Sequence, residues 1–248
     1  RWGFMSMKAT PNDQRSILKV AQLDQQTNLL RHKAASLPEL QEINSATVKF
    51  NNARDLRIAA ETELSDVKRE LLRAEADVEQ VVSRITRDEA RLVGGSASPK
   101  ELEQLQHEVG TLNTRRAELE EVELEIMMRV DSIQASISTH SQEGDEQAAV
   151  IADLEIRKEN ALAAINSELE TIASDRSQLV GGVEKSFVDL YEKIRADSGG
   201  PGAAALVAGA CSGCNLSINA VELKRLTDLA EDEVVRCEEC RCILVRGA

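Results

Sequence analysis

The stretch that decides the fold is CSGCNLSINAVELKRLTDLAEDEVVRCEEC, residues 211–240, which begins and ends with a C-x-x-C pair. Cys211 and Cys214 form the first pair, Cys237 and Cys240 form the second, and 22 residues separate the pairs. A C-x-x-C turn presents two thiolates from one tight loop, and two such turns are the pattern of a tetrahedral zinc site. We predict one structural Zn²⁺ on these four cysteines, because four sulfur ligands leave no coordination position for water.

The same residues allow two other interpretations. The quartet could form a redox switch of two disulfides, but paired C-x-x-C turns in a reducing cytosol favour metal. Cys242 is a fifth cysteine and could replace Cys237 or Cys240 as a ligand in a rearranged loop. We expect instead that Cys242 is a thiol beside the site, because C-x-C spacing does not fit the turn that C-x-x-C forms.

The cysteines belong to a small module that we assign to residues 203–248. Asn219 followed by Glu222 is the signature of a helix N-cap, which predicts a short helix between the two cysteine pairs. Segments 233–236 and 243–245 have the composition of short strands. A module of about 40 residues buries little core, so metal binding should supply much of its folding free energy. A small sheet held by four cysteines and zinc is a zinc ribbon.

Upstream of this module the chain has the pattern of long helices. One row of seam positions recurs every seven residues from Ile43 to Leu92, and a second row follows three residues later from Ala46 to Asp88. Together these rows form the a/d seam of a coiled coil. The first positions of the second row are alanines, so a partner helix can approach closely there.

A glycine-rich turn near residues 94–98 interrupts the first seam, and a second apolar seam follows it. Ser98, Pro99 and Glu101 fit the N-cap, N1 and N3 positions of the new helix. Because the connection is short, the two helices should pack antiparallel. The predicted fold is mainly α: a long, kinked, antiparallel coiled-coil hairpin over residues 7–197, followed by the small C-terminal Cys₄ zinc ribbon.

Further interruptions of the helical pattern are expected. Pro38 should kink the first arm, since proline lacks the N–H that a helix interior requires. The seam becomes irregular near residues 140–144, which suggests a second kink or a short break. Residues 198–202, SGGPG, should form a hinge before the ribbon. Residues 1–6 match nothing that follows, so we interpret them as an addition before a native start at Met7.

Several seam residues allow both a structural and a binding role. The charged residues at seam positions are Arg57, Asp88, Arg116 and Glu123. We expect them to set the register or to pair across the hairpin, rather than to bind a partner. Phe187 and Tyr191 lie one helical turn apart before the hinge, and we expect a packed patch against the first arm or the ribbon.

The composition excludes several classes of protein. Aromatic residues make up 2% of the 248 residues, fewer than a globular enzyme normally uses to fill its core. No apolar run of about 18 residues predicts a membrane helix, and no secretion signal is recognisable, so a cytoplasmic location is expected. The sequence contains no P-loop, no G-x-S-x-G motif and no Ser/His/Asp constellation. We therefore expect that the protein is not an enzyme and has no small-molecule substrate.

The charge pattern bears on the partner. A net charge of −13 disfavours a protein that coats nucleic acid. The ribbon nevertheless carries a candidate phosphate-binding set, namely Lys224, Arg225, Arg236, Arg241 and Arg246. The ribbon contains no aromatic residue for base stacking. We therefore expect an adaptor that binds protein partners through helices and ribbon. The alternative is an RNA- or DNA-binding protein that uses the ribbon in transcription or post-transcriptional regulation.

The segments CSGCNLSI (residues 211–218) and CEECRCILV (residues 237–245), behind a long helical hairpin, resemble bacterial coiled-coil proteins with a C4-type zinc ribbon. The chain is most similar to an actinobacterial, mycobacterial-type member, over nearly its whole length. This resemblance implies zinc on the four cysteines and a kinked hairpin. Members are often described as candidate nucleic-acid-binding proteins, and other branches are linked to an alternative sigma factor, flagellar or secretion machinery and messenger RNA. Arg241-Cys242 stands where relatives often have a Gly-Arg pair.

Overall fold

The computed structural model describes residues 7–95 and 98–247, and within these ranges it contains five helices and four short strands. The helices are α1 (Pro11–Ala35), α2 (Pro38–Val93), α3 (Pro99–Gly181), α4 (Lys185–Ser198) and α5 (Ala220–Asp228). The strands are β1 (Ala203–Val207), β2 (Ala210–Cys211), β3 (Val235–Arg236) and β4 (Ile243–Val245). The prediction of a mainly α hairpin followed by a small strand-containing module is confirmed. Residues 1–6, interpreted above as an addition, lie outside the described residues.

The chain divides into two compact units. The first, here called the hairpin unit, comprises Glu39–Glu155. The second, here called the terminal unit, combines Arg1–Pro38 with Ile156–Ala248 and therefore contains all four strands. Among the described residues, no helix is both long enough and apolar enough to cross a membrane.

The hairpin unit is built on the predicted seam. The buried residues of α2 all lie in its two rows: Ala46, Ala53, Ala60, Val67, Ala74, Ile85 and Asp88. Ala60 and Val67 pack with Val130 and Ile133 of α3 in one buried cluster. Glu70 pairs with Arg129 at 2.8 Å. Residues further along α2 therefore contact residues nearer the start of α3. This is the antiparallel arrangement that the sequence predicts.

The start of α3 follows its local sequence. The backbone N–H of Ser98 donates to the Glu101 carboxylate at 2.8 Å, and the Glu101 N–H donates to the Ser98 hydroxyl at 3.4 Å. This reciprocal pair is the capping box that the sequence predicts, with Pro99 as the first helical residue. It satisfies backbone donors that the first turn of a helix otherwise leaves unpaired.

The interruptions of the helices differ in part from those expected. At Pro38 the chain does not kink within one helix, because α1 ends at Ala35 and a new helix begins at Pro38. Of the kink or short break expected near residues 140–144, the break is wrong, since α3 runs without interruption from Pro99 to Gly181, and the kink stays a prediction. Polar pairs along that turn support the helix, including Gln142 with Glu146 at 3.0 Å. The second break lies further on, between Gly181 and Lys185, where α3 gives way to α4.

Charged seam residues mostly find partners on their own helix. Arg57 pairs with Glu61, and Arg116 pairs with Glu120, each at 2.6 Å. Cross-hairpin pairing by these two arginines, one of the two roles expected above, is therefore wrong. Asp88 is 8% exposed, and its Oδ2 has no hydrogen-bond partner within the described chain. The arginines nearest to its carboxylate, Arg84 and Arg91, approach only to 4.0 and 3.9 Å.

We predict that Asp88→Leu stabilises the protein. Burying a carboxylate at a seam position costs desolvation free energy, and the two arginines are too far away to offset much of it. Removing the charge should therefore raise the free energy of unfolding by about 1–2 kcal/mol. Urea denaturation followed by circular dichroism measures the change. Asp77→Leu, at an exposed position of the same helix, is the matched control and should change stability by less than about 0.5 kcal/mol. A less stable Asp88→Leu protein would show that this carboxylate supports the hairpin.

Candidate metal centre

The ribbon is a four-stranded sheet with the order β2-β1-β4-β3. β1 pairs parallel with β4, and β2 and β3 pair antiparallel with β1 and β4 respectively. The sequence predicted β4 at its observed position and placed β3 too early, at 233–236 instead of Val235–Arg236. It missed β1, because an alanine-rich segment has weak strand propensity. α5 begins as predicted, with the Asn219 side chain accepting the Glu222 N–H at 2.8 Å.

The two C-x-x-C turns share one backbone geometry. In the first, the N–H of Asn215 donates to the carbonyl of Cys211 at 2.8 Å. In the second, the N–H of Arg241 donates to the carbonyl of Cys237 at 3.0 Å. Asn215 and Arg241 also share a left-handed backbone, with φ of 59° and 61°. Each turn therefore curls back on itself and directs its two cysteines toward a common point.

The four predicted cysteines converge. The sulfur atoms of Cys211, Cys214, Cys237 and Cys240 all lie within 4.8 Å of one another. Two of these separations are 3.8 Å, between Cys211 and Cys240, and 3.9 Å, between Cys214 and Cys237. A tetrahedron with Zn–S bonds of about 2.3 Å has edges of about 3.8 Å. The quartet therefore fits one structural Zn²⁺, and all five cysteines are free rather than joined as disulfides.

Cys242 lies beside this quartet and outside it. Its side chain is fully buried, with its sulfur 3.3 Å from that of Cys240 and 3.7 Å from that of Cys211. It does not belong to the set of four mutually close sulfurs. Its carbonyl accepts the N–H of Cys237 at 2.9 Å, which braces the second turn. This placement matches a thiol adjacent to the site and not a replacement ligand.

The sheet separates two apolar clusters. On one side Ala204, Leu226 and Leu244 pack with Cys211, Cys237 and Cys242. On the other side Ile243 and Val245 pack with residues of α1 and α4, namely Ile17, Val20, Ala21, Phe187, Tyr191 and Ile194. Neighbouring residues of a strand point to opposite faces, so β4 joins the cysteine cluster to the helices. Phe187 and Tyr191 are fully buried there, in the packed patch expected from the sequence.

The segment before α1 is hydrogen-bonded to the loop before β3. The N–H of Ala9 donates to the Asp232 carbonyl at 2.8 Å, and the N–H of Val234 donates to the Met7 carbonyl at 3.0 Å. The Gln14 side chain, which is buried, donates to the Glu231 carbonyl at 2.8 Å. These contacts tie the start of the described chain to the loop before β3. Nothing in the local sequence signals them, since the partners are more than 200 residues apart.

A buried ionic network fixes α1 against α3 and α4. The Asp24 carboxylate accepts hydrogen bonds from the Tyr191 hydroxyl at 2.7 Å and from Arg176 Nε at 2.8 Å, and it forms an ion pair with Arg195 at 3.1 Å. Burial alone would raise the pKa of Asp24, but hydrogen bonds from Arg176 and Tyr191 outweigh it and leave the pKa lowered. Burial, and then the hydrogen bond to Asp24, raise the pKa of Tyr191. Gly202 packs on the ring of Tyr191 so closely that a Cβ would lie 2.6 Å from it.

The candidate phosphate-binding residues have different surroundings. Arg246 donates to the carbonyls of Leu226, Leu229, Ala230 and Glu233 at 2.6–3.0 Å, so its guanidinium caps α5 and the following turn. Arg225 forms a two-point pair with Glu222 at 2.7 and 2.5 Å. Arg236 Nε donates to the Arg241 carbonyl at 2.8 Å. Lys224 and Arg241 are exposed. Nucleic-acid binding by this set stays a prediction, and the hydrogen bond between Arg236 and Arg241 joins two of its members.

Comparisons with known proteins identify both parts of the chain. A family model described as the CT398-like coiled coil hairpin domain matches residues 20–199, and a C4-type zinc ribbon domain model matches residues 210–244. An uncharacterized protein of Mycobacterium tuberculosis strain H37Rv is 36% identical over 244 residues, covering 97% of this chain and 98% of the relative.

Solved structures agree with the fold. One from Mycobacterium smegmatis superposes with a TM-score of 0.83 at 31% identity, covering 97% of this chain and all of that one. The structure of CT398 from Chlamydia trachomatis gives a TM-score of 0.66 at 18% identity, covering 94% of this chain and 97% of that one. The second likeness is one of fold alone.

We predict that Cys237→Ser loses its zinc, because three thiolates hold the metal much less tightly than four. The zinc content measured by metal analysis should fall from about one ion per chain to near zero. The helical circular dichroism signal should change little, since the long helices lie outside the ribbon. Cys242→Ala is the matched control and should keep one zinc. Full zinc in Cys237→Ser, or none in Cys242→Ala, would contradict the ligand assignment.

We also predict that Tyr191→Phe lowers the free energy of unfolding by about 1.5–3 kcal/mol, the range for a hydrogen bond to a charged group. The substitution keeps the ring that packs on Gly202 and removes only the hydroxyl. Urea denaturation of Tyr191→Phe, Asp24→Asn and the double variant measures the coupling between the two residues. Additive effects of the two substitutions would show that the hydrogen bond contributes nothing.

Proposed function

Because the chain belongs to the family of CT398-like coiled-coil hairpin proteins with a C4-type zinc ribbon, we propose that it is a non-enzymatic adaptor that binds protein partners. Its metal site supports this proposal, since four sulfur ligands leave no position for a substrate. One cleft in the terminal unit also supports the proposal. That cleft has a volume of about 400 Å³, and its charged lining groups, Asp24 and Arg195, are paired with each other.

The observation that carries the proposal is an exposed apolar stripe on α3. We define the apolar stripe as Leu124, Met127 and Met128, which are 59%, 44% and 71% exposed. Residues spaced by three and four positions share one face of a helix. This face is separate from the seam, where Val130 is buried and Ile126 is partly buried. Flexible, polarisable methionine side chains suit a surface that adapts to a protein partner.

The surroundings of the apolar stripe indicate the chemistry of that partner. Five glutamates precede or flank it within eight residues: Glu118, Glu120, Glu121, Glu123 and Glu125. Glu118 and Glu120 form ion pairs with Arg115 and Arg116 on the same helix, so the excess negative charge comes from Glu121, Glu123 and Glu125. This excess repels the phosphates of nucleic acid and attracts positive charge. The partner that fits is a protein segment with apolar side chains flanked by lysine or arginine.

The proposal includes a cytoplasmic location. None of the five cysteines is in a disulfide, and zinc–thiolate sites persist in compartments that keep thiols reduced. Nucleic-acid binding through the ribbon is less well supported, because Arg246 and Arg225 are already engaged with carbonyls and a carboxylate.

We predict that the double variant Leu124→Ser/Met128→Ser loses its protein partner. Removing two exposed anchors from an interface should weaken binding at least about tenfold, since a few such side chains carry most of the binding free energy. Affinity purification of the full chain identifies candidates, and the affinity of each purified candidate is then measured. Binding should also weaken as salt is raised, because the acidic rim contributes through charge.

Val150→Ser is the matched control, as it removes an exposed apolar side chain elsewhere on α3. A partner that binds wild type and Val150→Ser but not the double variant supports the proposal. Equal binding by all three proteins would rule out the apolar stripe. Retention of RNA or DNA alone, lost on nuclease treatment or in Arg236→Glu/Arg241→Glu, would favour the nucleic-acid function instead.

A further inference from the structure

Cys242 is a buried thiol that the zinc site does not need. Four other sulfurs complete the tetrahedron, yet Cys242 Sγ lies 3.3 Å from Cys240 Sγ, closer than the 3.8 and 3.9 Å measured between ligands. Apolar side chains of the ribbon, including Leu226 and Leu244, enclose it. A simple packing role would be served as well by alanine or valine, so the thiol in this position calls for a chemical explanation.

The turn between Cys240 and Cys242 brings their sulfurs close together. The residue between them, Arg241, has a left-handed backbone with φ of 61°, and this turn places the two sulfurs side by side. A disulfide requires an S–S distance of about 2.05 Å, so the sulfurs need to approach by a little over 1 Å. Side-chain rotation about the two Cα–Cβ bonds can supply a movement of that size.

The two thiols differ in access to solvent. Cys214 and Cys240 are partly exposed, whereas Cys242 is fully buried. A small oxidant therefore reaches Cys214 and Cys240 first, and of these two Cys240 has the Cys242 sulfur next to it, at 3.3 Å. Cys211 also contacts Cys242, at 3.7 Å, but both of those side chains are fully buried.

We propose that Cys240 and Cys242 form an oxidation site at which hydrogen peroxide, or another peroxide, releases the zinc. The zinc-bound thiolate of Cys240 attacks one peroxide oxygen and the O–O bond breaks. This step gives a sulfenic acid on Cys240 and hydroxide, and the sulfur loses two electrons to the peroxide. The Cys242 thiol then attacks the sulfenic sulfur. An S–S bond forms, the S–O bond breaks, and the thiol proton leaves with the hydroxyl group as water.

Disulfide formation removes one ligand from the metal. Three thiolates remain, and the ion dissociates more readily from them than from four. Because metal binding supports the fold of this small sheet, oxidation should loosen the ribbon as well as empty it. Reduction of the disulfide with added Zn²⁺ should restore the original state, which makes the modification reversible.

The experiment treats the zinc-loaded full-length chain with hydrogen peroxide and follows zinc release with a colorimetric chelator. Trypsin cleaves after Arg236, Arg241 and Arg246, so Cys240 and Cys242 fall in different peptides, 237–241 and 242–246. We expect these two peptides to be joined in the oxidised wild type. Fragmentation of the joined pair should assign the bond to Cys240 and not to Cys237.

Cys242→Ala and Cys242→Ser test the role of the second thiol. Both should bind one zinc and release it at least about tenfold more slowly under peroxide, since the sulfenic acid has no neighbouring thiol to trap it. Equal release rates in the three proteins would overturn the proposal. If neither variant folds, the wild-type peptide map still decides. A disulfide from Cys242 to Cys211 in peptide 196–224, or disulfides among the four ligands with Cys242 free, would also overturn it.

Discussion

Four thiolates must lie about 3.8 Å apart to surround one zinc ion, and this requirement governs the terminal unit. Four negative sulfurs repel one another at that distance unless the metal is present. The chain meets the requirement with two turns of the same backbone geometry, each closed by an N–H···O=C bond back to its first cysteine. The turns come from opposite ends of the ribbon sequence, so the sheet has to hold them in register. Its parallel β1–β4 pair does so by joining the segment before the first turn to the segment after the second.

The same sheet connects the metal to the helices. Leu244 packs on the cysteine side, and its neighbours Ile243 and Val245 pack against α1 and α4. Loss of the metal would therefore disturb β4 from one side while the helices still bind it from the other. The Asp24 network strengthens the helical side, because a buried carboxylate that is hydrogen-bonded to Tyr191 and Arg176 and ion-paired with Arg195 fixes the relative positions of α1, α3 and α4. The ribbon is too small to bury a sufficient hydrophobic core by itself, and the apolar residues of α1 and α4 complete that core.

The predictable features are those written in local sequence. Cysteine spacing, heptad rows and capping residues all act within a few turns, and each matches the structure. The missed features depend on distant partners. Tyr191 reaches Asp24 across 167 positions, and Ala9 bonds to Asp232 with no pattern in either segment. Arg246 looked like a phosphate ligand because charge alone is visible in a sequence, whereas its four carbonyl partners become visible only in the fold.

The second cysteine turn combines a strained residue with an additional sulfur. Arg241 has a left-handed backbone, which costs a residue with a side chain about 1 kcal/mol and costs glycine nothing. The residue after it, Cys242, is a buried thiol. The turn therefore places the charged side chain of Arg241 on the exposed surface and puts the Cys242 sulfur in contact with Cys211 and Cys240. Asn215 holds the same backbone conformation in the first turn but is followed by Leu216, so the fifth sulfur distinguishes the second turn from the first.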